Sequence, residues 1–258
     1  MTDRHQDLKE AFVLISEIAV LLMQSGANTK RVIDNINRFA ATLGLKSFAL
    51  ISHKSIIITL KTLDQPQQSY TNVIHIPSYN INFNTLAEIS RLSWIVSEEQ
   101  WIYGEIQKEI DQIKNKKLYS FTLIALFVSL AGASFAKLFG GDYQSMLISF
   151  VATSVGMFVA KQAQKHLLNP YLKTYLAAFT ASLIASFGIY MHFGEKAHIA
   201  LATSVLFLVP GVPLINSFND LYNNHILNGS VRFIGGFMTV LFIGLGLITA
   251  MILFNTKL

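Results

Sequence analysis

The sequence predicts an α-helical integral membrane protein with five transmembrane helices, preceded by a small α+β domain. The chain has 258 residues, of which 52% are hydrophobic, and its mean hydropathy of +0.44 is high for a soluble domain. Charge is also unevenly distributed, because residues 1–117 hold 25 of the 35 charged residues. The remaining ten fall in clusters about 20 to 30 residues apart, as expected if hydrocarbon-length segments separate short loops. We therefore predict an α+β domain at 1–117 and a transmembrane domain at 118–258.

Five apolar segments follow residue 117, and each is close to the ~20 residues that a helix needs to cross the hydrocarbon core. Helices without a polar face are unsuited to a soluble protein, and the segments are too long and too apolar for barrel strands. The lipid bilayer is therefore the expected surrounding of this domain. The expected spans are Tyr119–Leu138, Gln144–Ala160, Leu172–Phe193, Ile199–Phe218 and Val231–Phe254.

Basic residues beside the spans predict how the chain is oriented, since cytoplasmic loops carry an excess of lysine and arginine. Three lysines lie within residues 114–117, before the first span, and three within residues 161–173, between the second and third. We expect the N-terminal domain and the 161–173 loop to face the cytoplasm. Five spans then place the C-terminus outside. The predicted location is the plasma or inner membrane of the cell.

The N-terminal domain has a helical periodicity at each end and strand-like segments between. Gly26 and Gly44 are expected to end the first two helices, and Asn28 to cap the second. A turn is expected at Asp64–Pro66. The predicted helices are His5–Ser25, Thr29–Leu43, Thr85–Ser97 and Glu99–Asn115, and the predicted strands are Ser47–Ser52, Ser55–Lys61 and Tyr70–Ile76.

Several classes of function are not supported by the sequence. The net charge of +5 does not indicate nucleic acid, because residues 1–117 are nearly balanced, with 13 basic and 12 acidic residues. The absence of cysteine excludes disulfides, thiol nucleophiles and thiolate metal sites. No phosphate loop, paired metal-ligand histidines or nucleophile motif occurs, so we expect no enzyme, no metal and no cofactor. A membrane-anchored metabolite sensor, a membrane hydrolase and a scaffold remain open as alternatives to transport.

The most informative segment is a proline-containing stretch inside the fourth predicted span. Pro210 and Pro213 lack an amide donor and disrupt helical hydrogen bonds, and Gly211 between them adds conformational freedom. A span broken in this way exposes backbone groups, which is tolerated only inside protein or beside a water-filled cavity. Interrupted helices form substrate and ion sites in secondary transporters. A simple proline kink is the alternative.

Polar side chains follow this break at once. Asn216 and Asn219 can form hydrogen bonds with a polar solute, and Asp220 can bind a proton or an ammonium group. Asp220 is also the only acidic residue in or beside the spans on the predicted inner side, and an acid near a membrane path marks a functional site by default. The alternative is an interfacial carboxylate or a helix cap. The predicted substrate and proton pathway comprises Pro210, Gly211, Pro213, Asn216, Asn219 and Asp220.

Small residues repeat at four-residue spacing inside the first three spans, which lets membrane helices approach closely. We interpret most of them as packing positions and a minority as the lining of a solute path. They are Ala125, Ser129 and Ala133, then Ala152, Gly156 and Ala160, then Ala178, Ser182 and Ser186.

Two segments together resemble a known family. Residues Ser25–Val32, followed by Leu43–Leu45, resemble the start of the N-terminal module of the threonine/serine exporter family. Residues Pro210–Leu214 and Asn219–Leu221 are similar to the C-terminal signature of that module, together with Leu227, Gly229 and Arg232. The order of soluble helices, strands, two further helices and five spans also matches, and the resemblance covers nearly the whole chain.

The resemblance implies export of small polar metabolites, typically threonine and serine and in some branches dicarboxylates, driven by the proton motive force. It also implies a split system, in which a separate membrane protein of about four or five spans completes the transporter as a hetero-oligomer. A homo-oligomer is left open. The match bears on Gly26 and Arg31, which with Arg232 are candidates for gating or for contact between domains.

Overall fold

A computed structural model describes residues 2–52, 54–63, 68–77 and 80–255. This part of the chain is mostly helical and contains one small antiparallel sheet near the N-terminus, as predicted. It divides into two compact units. The first comprises Met1–Lys117 with Val212–Ile234, and the second comprises Leu118–Gly211 with Gly235–Leu258.

The first unit begins with two helices, continues with a three-stranded sheet and then has two more helices, as the sequence predicts. The three strands pair antiparallel in chain order, with Ile51 opposite Ile56 and Ser55 opposite His75. The predicted turn at Asp64–Pro66 lies outside the described residues. The elements are α1 (Thr2–Gln24), α2 (Thr29–Thr42), β1 (Leu45–Ile51), β2 (Ser55–Thr62), β3 (Ser69–His75), α3 (Phe83–Glu99) and α4 (Tyr103–Lys114).

Local signals account for most of these boundaries. The Asn28 side chain accepts a hydrogen bond from the Arg31 amide at 2.8 Å, so it caps α2 as predicted. The prediction that the fourth helix begins at Glu99 is wrong. Gln100 adopts the left-handed conformation, with φ of 55°, and its amide bonds back to the Val96 carbonyl, which ends α3. The next helix starts only at Tyr103.

A hydrophobic core of residues between Leu8 and Ile113 holds the four helices and the sheet of the N-terminal part of the first unit together. Helix α1 and the inward face of β2 supply much of it, and α2, α3 and α4 close over them. Alternation along β2 points every second side chain inward, as a strand with one buried face requires. The largest completely buried side chains of this core include Ile15, Ile18, Leu22, Phe39, Ile56, Ile58, Leu60, Ile89 and Ile106.

The described residues after 117 form helices and the connections between them. Four of the helices in this described part are long and apolar enough to cross a membrane, namely Phe121–Leu138, Tyr143–Lys165, Pro170–Tyr190 and Ile226–Phe254, and the bent pair Ala197–Leu208 with Gly211–Tyr222 would make a fifth if it is one span. The helices are α5 (Phe121–Leu138), α6 (Tyr143–Lys165), α7 (Pro170–Tyr190), α8 (Ala197–Thr203), α9 (Gly211–Tyr222) and α10 (Ile226–Phe254), with a short 3₁₀ turn at Leu206–Leu208.

The fourth predicted span differs from its prediction in where the helix breaks. Helix α8 already ends at Thr203, upstream of the prolines. Pro213 lies in the first turn of α9, where an amide donor has no intrahelical partner and its loss costs no hydrogen bond. Pro210 lies in the break between Leu208 and Gly211, where the two helical segments are bent by 58°, and Pro213 lies in the helix that follows the break.

Small residues let the helices of the second unit approach closely. A Cβ atom on Gly156 would lie 2.8 Å from the Phe207 ring and 3.1 Å from the Ala181 Cβ. A Cβ atom on Gly188 would lie 2.7 Å from the Ile148 side chain. Because real contacts are essentially never as short as 2.7–2.8 Å, a methyl group at either position would require Phe207 or Ile148 to shift, and the predicted small face of α6 is a packing face here.

Candidate functional site

A buried ion pair lies in the part of the first unit that is contributed by α9 and α10. Asp220 on α9 is 0% exposed and Arg232 on α10 is 9% exposed, and their Oδ2 and Nη1 atoms are 3.2 Å apart. The Thr29 amide donates to Asp220 Oδ1 at 2.8 Å, and the Thr29 hydroxyl donates to Oδ2 at 3.0 Å. The carboxylate therefore also sits at the N-terminus of α2, where the helix dipole favours negative charge.

The Arg232 guanidinium is held from a second direction, because its Nη2 donates to the Ala27 carbonyl at 3.0 Å. A buried ion pair is tolerated only when further hydrogen bonds compensate the lost hydration of both charges. Here Thr29 supplies them for Asp220, and the backbone of the α1–α2 turn supplies one for Arg232. Removing either partner of such a pair typically costs about 3–5 kcal/mol, because the other charge is left uncompensated.

Two asparagines extend this polar cluster. The Asn216 amide donates to the Gly26 carbonyl at 2.7 Å, and the Asn228 amide donates to the Thr29 hydroxyl at 3.0 Å and to the Ile51 carbonyl at 2.8 Å. Gly26 itself has φ of +95°, a conformation that favours glycine. We refer below to the Asp220 cluster, which consists of Gly26, Thr29, Asn216, Asp220, Asn228 and Arg232.

The cluster unites four of the residues predicted from sequence, which are Gly26, Asn216, Asp220 and Arg232. Asn219 lies outside it, because its side chain is exposed on α9. Arg31 is also exposed, and its Nε donates to the Ser90 hydroxyl at 3.1 Å. Pro210, Gly211 and Pro213 lie at the start of α9 and make none of these hydrogen bonds.

Sequence reasoning missed Thr29 and Asn228. Thr29 follows a recognisable helix cap, yet the bond from its amide to Asp220 spans 191 positions of the chain. Asn228 is an isolated asparagine near the start of α10, in a segment without any motif. No local pattern in either segment points to the other.

A second polar group lies within the second unit, and of its members the sequence analysis named only Ser129, as one of the small residues of the first span. Thr203 on α8 donates to the Ser149 hydroxyl at 3.1 Å, and Ser154 donates to Ser129 at 2.8 Å. Thr153 is 1% exposed, and its hydroxyl has no hydrogen-bond partner in the described part of the chain. These hydroxyls come from α5, α6 and α8, so a polar solute between these helices would meet hydroxyl groups.

The amino-acid sequence of the chain is similar to those of several known proteins. A family model described as "Putative threonine/serine exporter" matches residues 13–254. The chain is 28% identical over 247 residues to the "Probable succinate transporter subunit YjjP" of Klebsiella aerogenes and 29% identical over 247 residues to the protein of that name in Escherichia coli K12. Both alignments cover 95% of this chain and 94% of the relative.

A more distant relative is longer. The chain is 23% identical over 250 residues to the "Threonine/serine exporter" of Corynebacterium glutamicum, an alignment that covers 95% of this chain and 50% of that protein. No solved structure matches the chain.

Proposed function

We propose that this chain, which belongs to the threonine/serine exporter family, is one subunit of a secondary exporter that moves a small polar metabolite out of the cell. The family consists of transporters and is not an enzyme family, and the apolar helices make the chain a membrane-embedded protein. The metabolite is threonine, serine or a related small amino acid, or a dicarboxylate such as the succinate named for two relatives. Transport is driven by the proton motive force.

A second membrane subunit of about four or five spans completes the transporter in this proposal. The relatives from Klebsiella and Escherichia are named as subunits, and this chain aligns with nearly their whole length. By contrast, it aligns with only half of the Corynebacterium protein. Both alignments support the proposal that this chain works together with a second membrane module.

The proposed topology has five spans, a cytoplasmic N-terminal domain and an external C-terminus. Four long apolar helices and the bent pair Ala197–Leu208 with Gly211–Tyr222 support this number. The basic residues at 114–117 and 161–173 support the orientation.

The observation that carries the proposal is the buried pair of Asp220 and Arg232. A solute carboxylate can replace Asp220 as the partner of Arg232, and a solute ammonium can replace Arg232 as the partner of Asp220. An amino acid offers both groups, and a dicarboxylate offers the first. Because an unpaired buried charge is costly, a ligand that supplies the missing charge stabilises a state in which the pair is open.

The remaining predicted residues have roles in this proposal that follow from their positions. The break between Thr203 and Gly211, which contains Pro210 and is followed by Pro213 in the first turn of α9, frees backbone groups for the solute and lets α9 move as a unit. Asn219 is available to bind solute, and Asn216 binds it after leaving the Gly26 carbonyl.

Gly26, Arg31 and Arg232 gate the path or connect the domains in this proposal. For Gly26 and Arg232, gating consists of making and breaking the hydrogen bonds of the Asp220 cluster. Arg31 acts from the exposed face of α2.

The experiment measures accumulation of labelled serine, threonine and succinate in energised inverted vesicles, where export appears as uptake. The chain is compared alone, with its partner subunit and with neither protein, in the presence and absence of an uncoupler. Asp220→Asn removes the charge of the pair, and Glu98→Gln removes a charge at an exposed position as the matched control. We expect uncoupler-sensitive uptake that requires both proteins, is retained by Glu98→Gln and is lost in Asp220→Asn.

Two outcomes would contradict parts of the proposal. Wild-type uptake by Asp220→Asn, with unchanged pH dependence, removes Asp220 from the mechanism. Absence of flux for every solute, with both proteins folded in the membrane, favours the alternative of a membrane-anchored metabolite sensor.

A further inference from the structure

A groove of about 260 Å³ lies between α2 and α3 of the first unit, apart from the Asp220 cluster. Its lining includes Arg31, Asn35 and Arg38 from α2 and Ser90 and Trp94 from α3. Arg31 and Arg38 are seven positions apart on α2. Because seven residues are close to two full turns, both guanidinium groups lie on one face of the helix, with their Cα atoms about 10 Å apart.

Each of the two guanidinium groups donates a hydrogen bond to a hydroxyl group of α3. Arg31 Nε donates to the Ser90 hydroxyl at 3.1 Å, and Arg38 Nη1 donates to the Ser93 hydroxyl at 2.9 Å. Within the described part of the chain, neither arginine has a carboxylate at ion-pair distance. Asp34, which also lines the groove, is paired with Lys30 at 2.8 Å. The groove therefore has two uncompensated positive charges.

An exposed aromatic ring orients one of these charges. The Arg38 guanidinium lies 3.7 Å from the centroid of the Trp94 ring, and Trp94 is 55% exposed. Stacking on the ring holds the guanidinium plane and leaves its edge able to bind a carboxylate through two parallel hydrogen bonds. Exposed tryptophan together with arginine is typical of binding surfaces.

The Asn35 side chain adds an unsatisfied group beneath these charges. Asn35 is 2% exposed, and its amide nitrogen donates to the Arg31 carbonyl at 2.7 Å. Its amide oxygen is buried and has no hydrogen-bond partner among the described residues. Because an amide oxygen accepts hydrogen bonds and does not donate them, this position needs a donor such as a water molecule and does not itself bind an anion.

We propose that this groove binds a small carboxylate metabolite, and that the first unit thereby senses solute at a place separate from the Asp220 cluster. Guanidinium groups favour carboxylates because their planar donors match the two oxygens. Two such groups on one helix face favour a dicarboxylate, whose ends can engage both. This site goes beyond the proposed export function, since binding here requires neither flux nor a second subunit.

The test uses the purified full-length chain in detergent with the substitution Trp101→Phe. The sequence has two tryptophans, so Trp94 is then the only one and its fluorescence reports on the groove. The probes are succinate, acetate and inorganic phosphate. We expect a saturable fluorescence change with succinate, because a carboxylate bound to the edge of the Arg38 guanidinium changes the charge beside the indole ring, and a dissociation constant for acetate that is higher by about tenfold or more.

Substitutions of the two groove arginines test whether succinate binds in the groove. Arg31→Gln and Arg38→Gln should each weaken succinate binding by about tenfold or more, as measured by calorimetry, which does not depend on the indole. Arg91→Gln is the matched control, since Arg91 is exposed on α3 and does not line the groove, and it should bind as the parent does.

Three results would overturn the proposal. They are the absence of saturable succinate binding, unchanged affinity in both groove variants, and tighter binding of phosphate than of succinate. No partner subunit and no ion gradient is present in this assay, so its failure leaves the export proposal untouched. A failure of the flux experiment would in turn leave this site untouched.

Discussion

Thr29 is the residue through which α2 is joined to the segment containing α9. Its amide and hydroxyl both donate to Asp220, and its hydroxyl accepts from the Asn228 amide. The residue is 1% exposed, so water cannot replace these bonds when they are lost. A single hydroxyl therefore satisfies polar groups from two other helices.

Replacing this hydroxyl tests its contribution. Thr29→Val keeps the shape and the amide but leaves Asp220 and Asn228 each short of one hydrogen bond, which should lower stability by roughly 1–3 kcal/mol. Thr42→Val is the matched control in the same helix, because the Thr42 hydroxyl only bonds to the Arg38 carbonyl of its own helix. Thermal unfolding of both purified variants measures the difference, and equal melting temperatures would contradict the expectation.

The carboxyl group of Asp142 should make the stability of the folded protein depend on pH. It caps α6, and hydrogen bonds from the Ser145 hydroxyl and amide and the Lys196 amide lower the pKa of its carboxyl from 3.8 to about 2. Since the folded pKa lies below the ordinary value, this stabilisation is complete above about pH 4 and is lost as the pH falls toward about 2.

The measurement compares unfolding of the parent and of Asp142→Ala between about pH 7 and pH 3. At neutral pH, loss of the cap should destabilise the variant by about 0.5–2 kcal/mol. The difference between the two proteins should narrow as the solution is acidified below about pH 4. A difference that stays constant over this range would show that the charged form of Asp142 is not what stabilises the helix start.

At the scale of elements, Gly132 on α5 lies directly against α6. A Cβ atom on Gly132 would lie 2.8 Å from the Thr153 hydroxyl and 3.4 Å from that of Ser149. The close approach of the two helices therefore places the backbone of α5 against the hydroxyl groups of α6. An added methyl group would push the helices apart or displace Thr153.

Gly132→Ala and Gly244→Ala form a matched pair of substitutions. Nothing lies within 4 Å of a Cβ atom built on Gly244, and alanine favours a helix over glycine by up to about 1 kcal/mol. We expect Gly244→Ala to be neutral or stabilising and Gly132→Ala to lower the melting temperature of the purified protein. If Gly132→Ala melts at or above the parent temperature, the close contact is not required.

Elements were predictable where their signals are local. Asn28 predicts the start of α2 as a helix cap, and apolar runs predict the four long apolar helices. The end of α3 at Gln100 was not predictable, because no glycine or proline marks it and the left-handed turn there is adopted by a glutamine. Pro213 was misplaced within its element, since a proline in the first turn of a helix and a proline inside one look alike in sequence.

The candidate site was predictable only in part, for a different reason. Asp220 stands out as an acid beside the spans, and Arg232 was selected through the resemblance to the family. Their pairing with Thr29 and with the α1–α2 turn depends on tertiary contacts between segments about two hundred positions apart, as the 191 positions between Thr29 and Asp220 show. The Arg31 and Arg38 groove likewise depends on how α3 packs beside α2, which periodicity alone does not specify.

For the whole molecule, the division into units predicts how fragments behave. The first unit is discontinuous, since Val212–Ile234 belongs to it together with Met1–Lys117. A fragment 1–117 alone lacks the partners of Thr29 and of the Gly26 and Ala27 carbonyls. We expect it to unfold at a lower temperature than the same fragment joined to 212–234 by a glycine–serine linker.

Circular dichroism of the two fragments during heating measures this difference. The joined fragment with Asp220→Asn is the control, because it retains the added residues without the charge of the pair. It should melt between the other two. Identical melting of all three would show that residues 1–117 are complete without the later segment.

The discontinuity of the first unit also sets an order of events during synthesis. Residues 118–211 leave the ribosome before 212–234 does, and at about 5–20 residues per second this takes several seconds. During that interval the first apolar helices are already available for insertion into the bilayer. The turn after α1 still lacks the side chains of 212–234 that donate hydrogen bonds to its carbonyl groups. The N-terminal segment of the nascent protein therefore persists for this time without residues 212–234. A chaperone that binds at this stage, or a premature stop of translation, would act on an incomplete first unit.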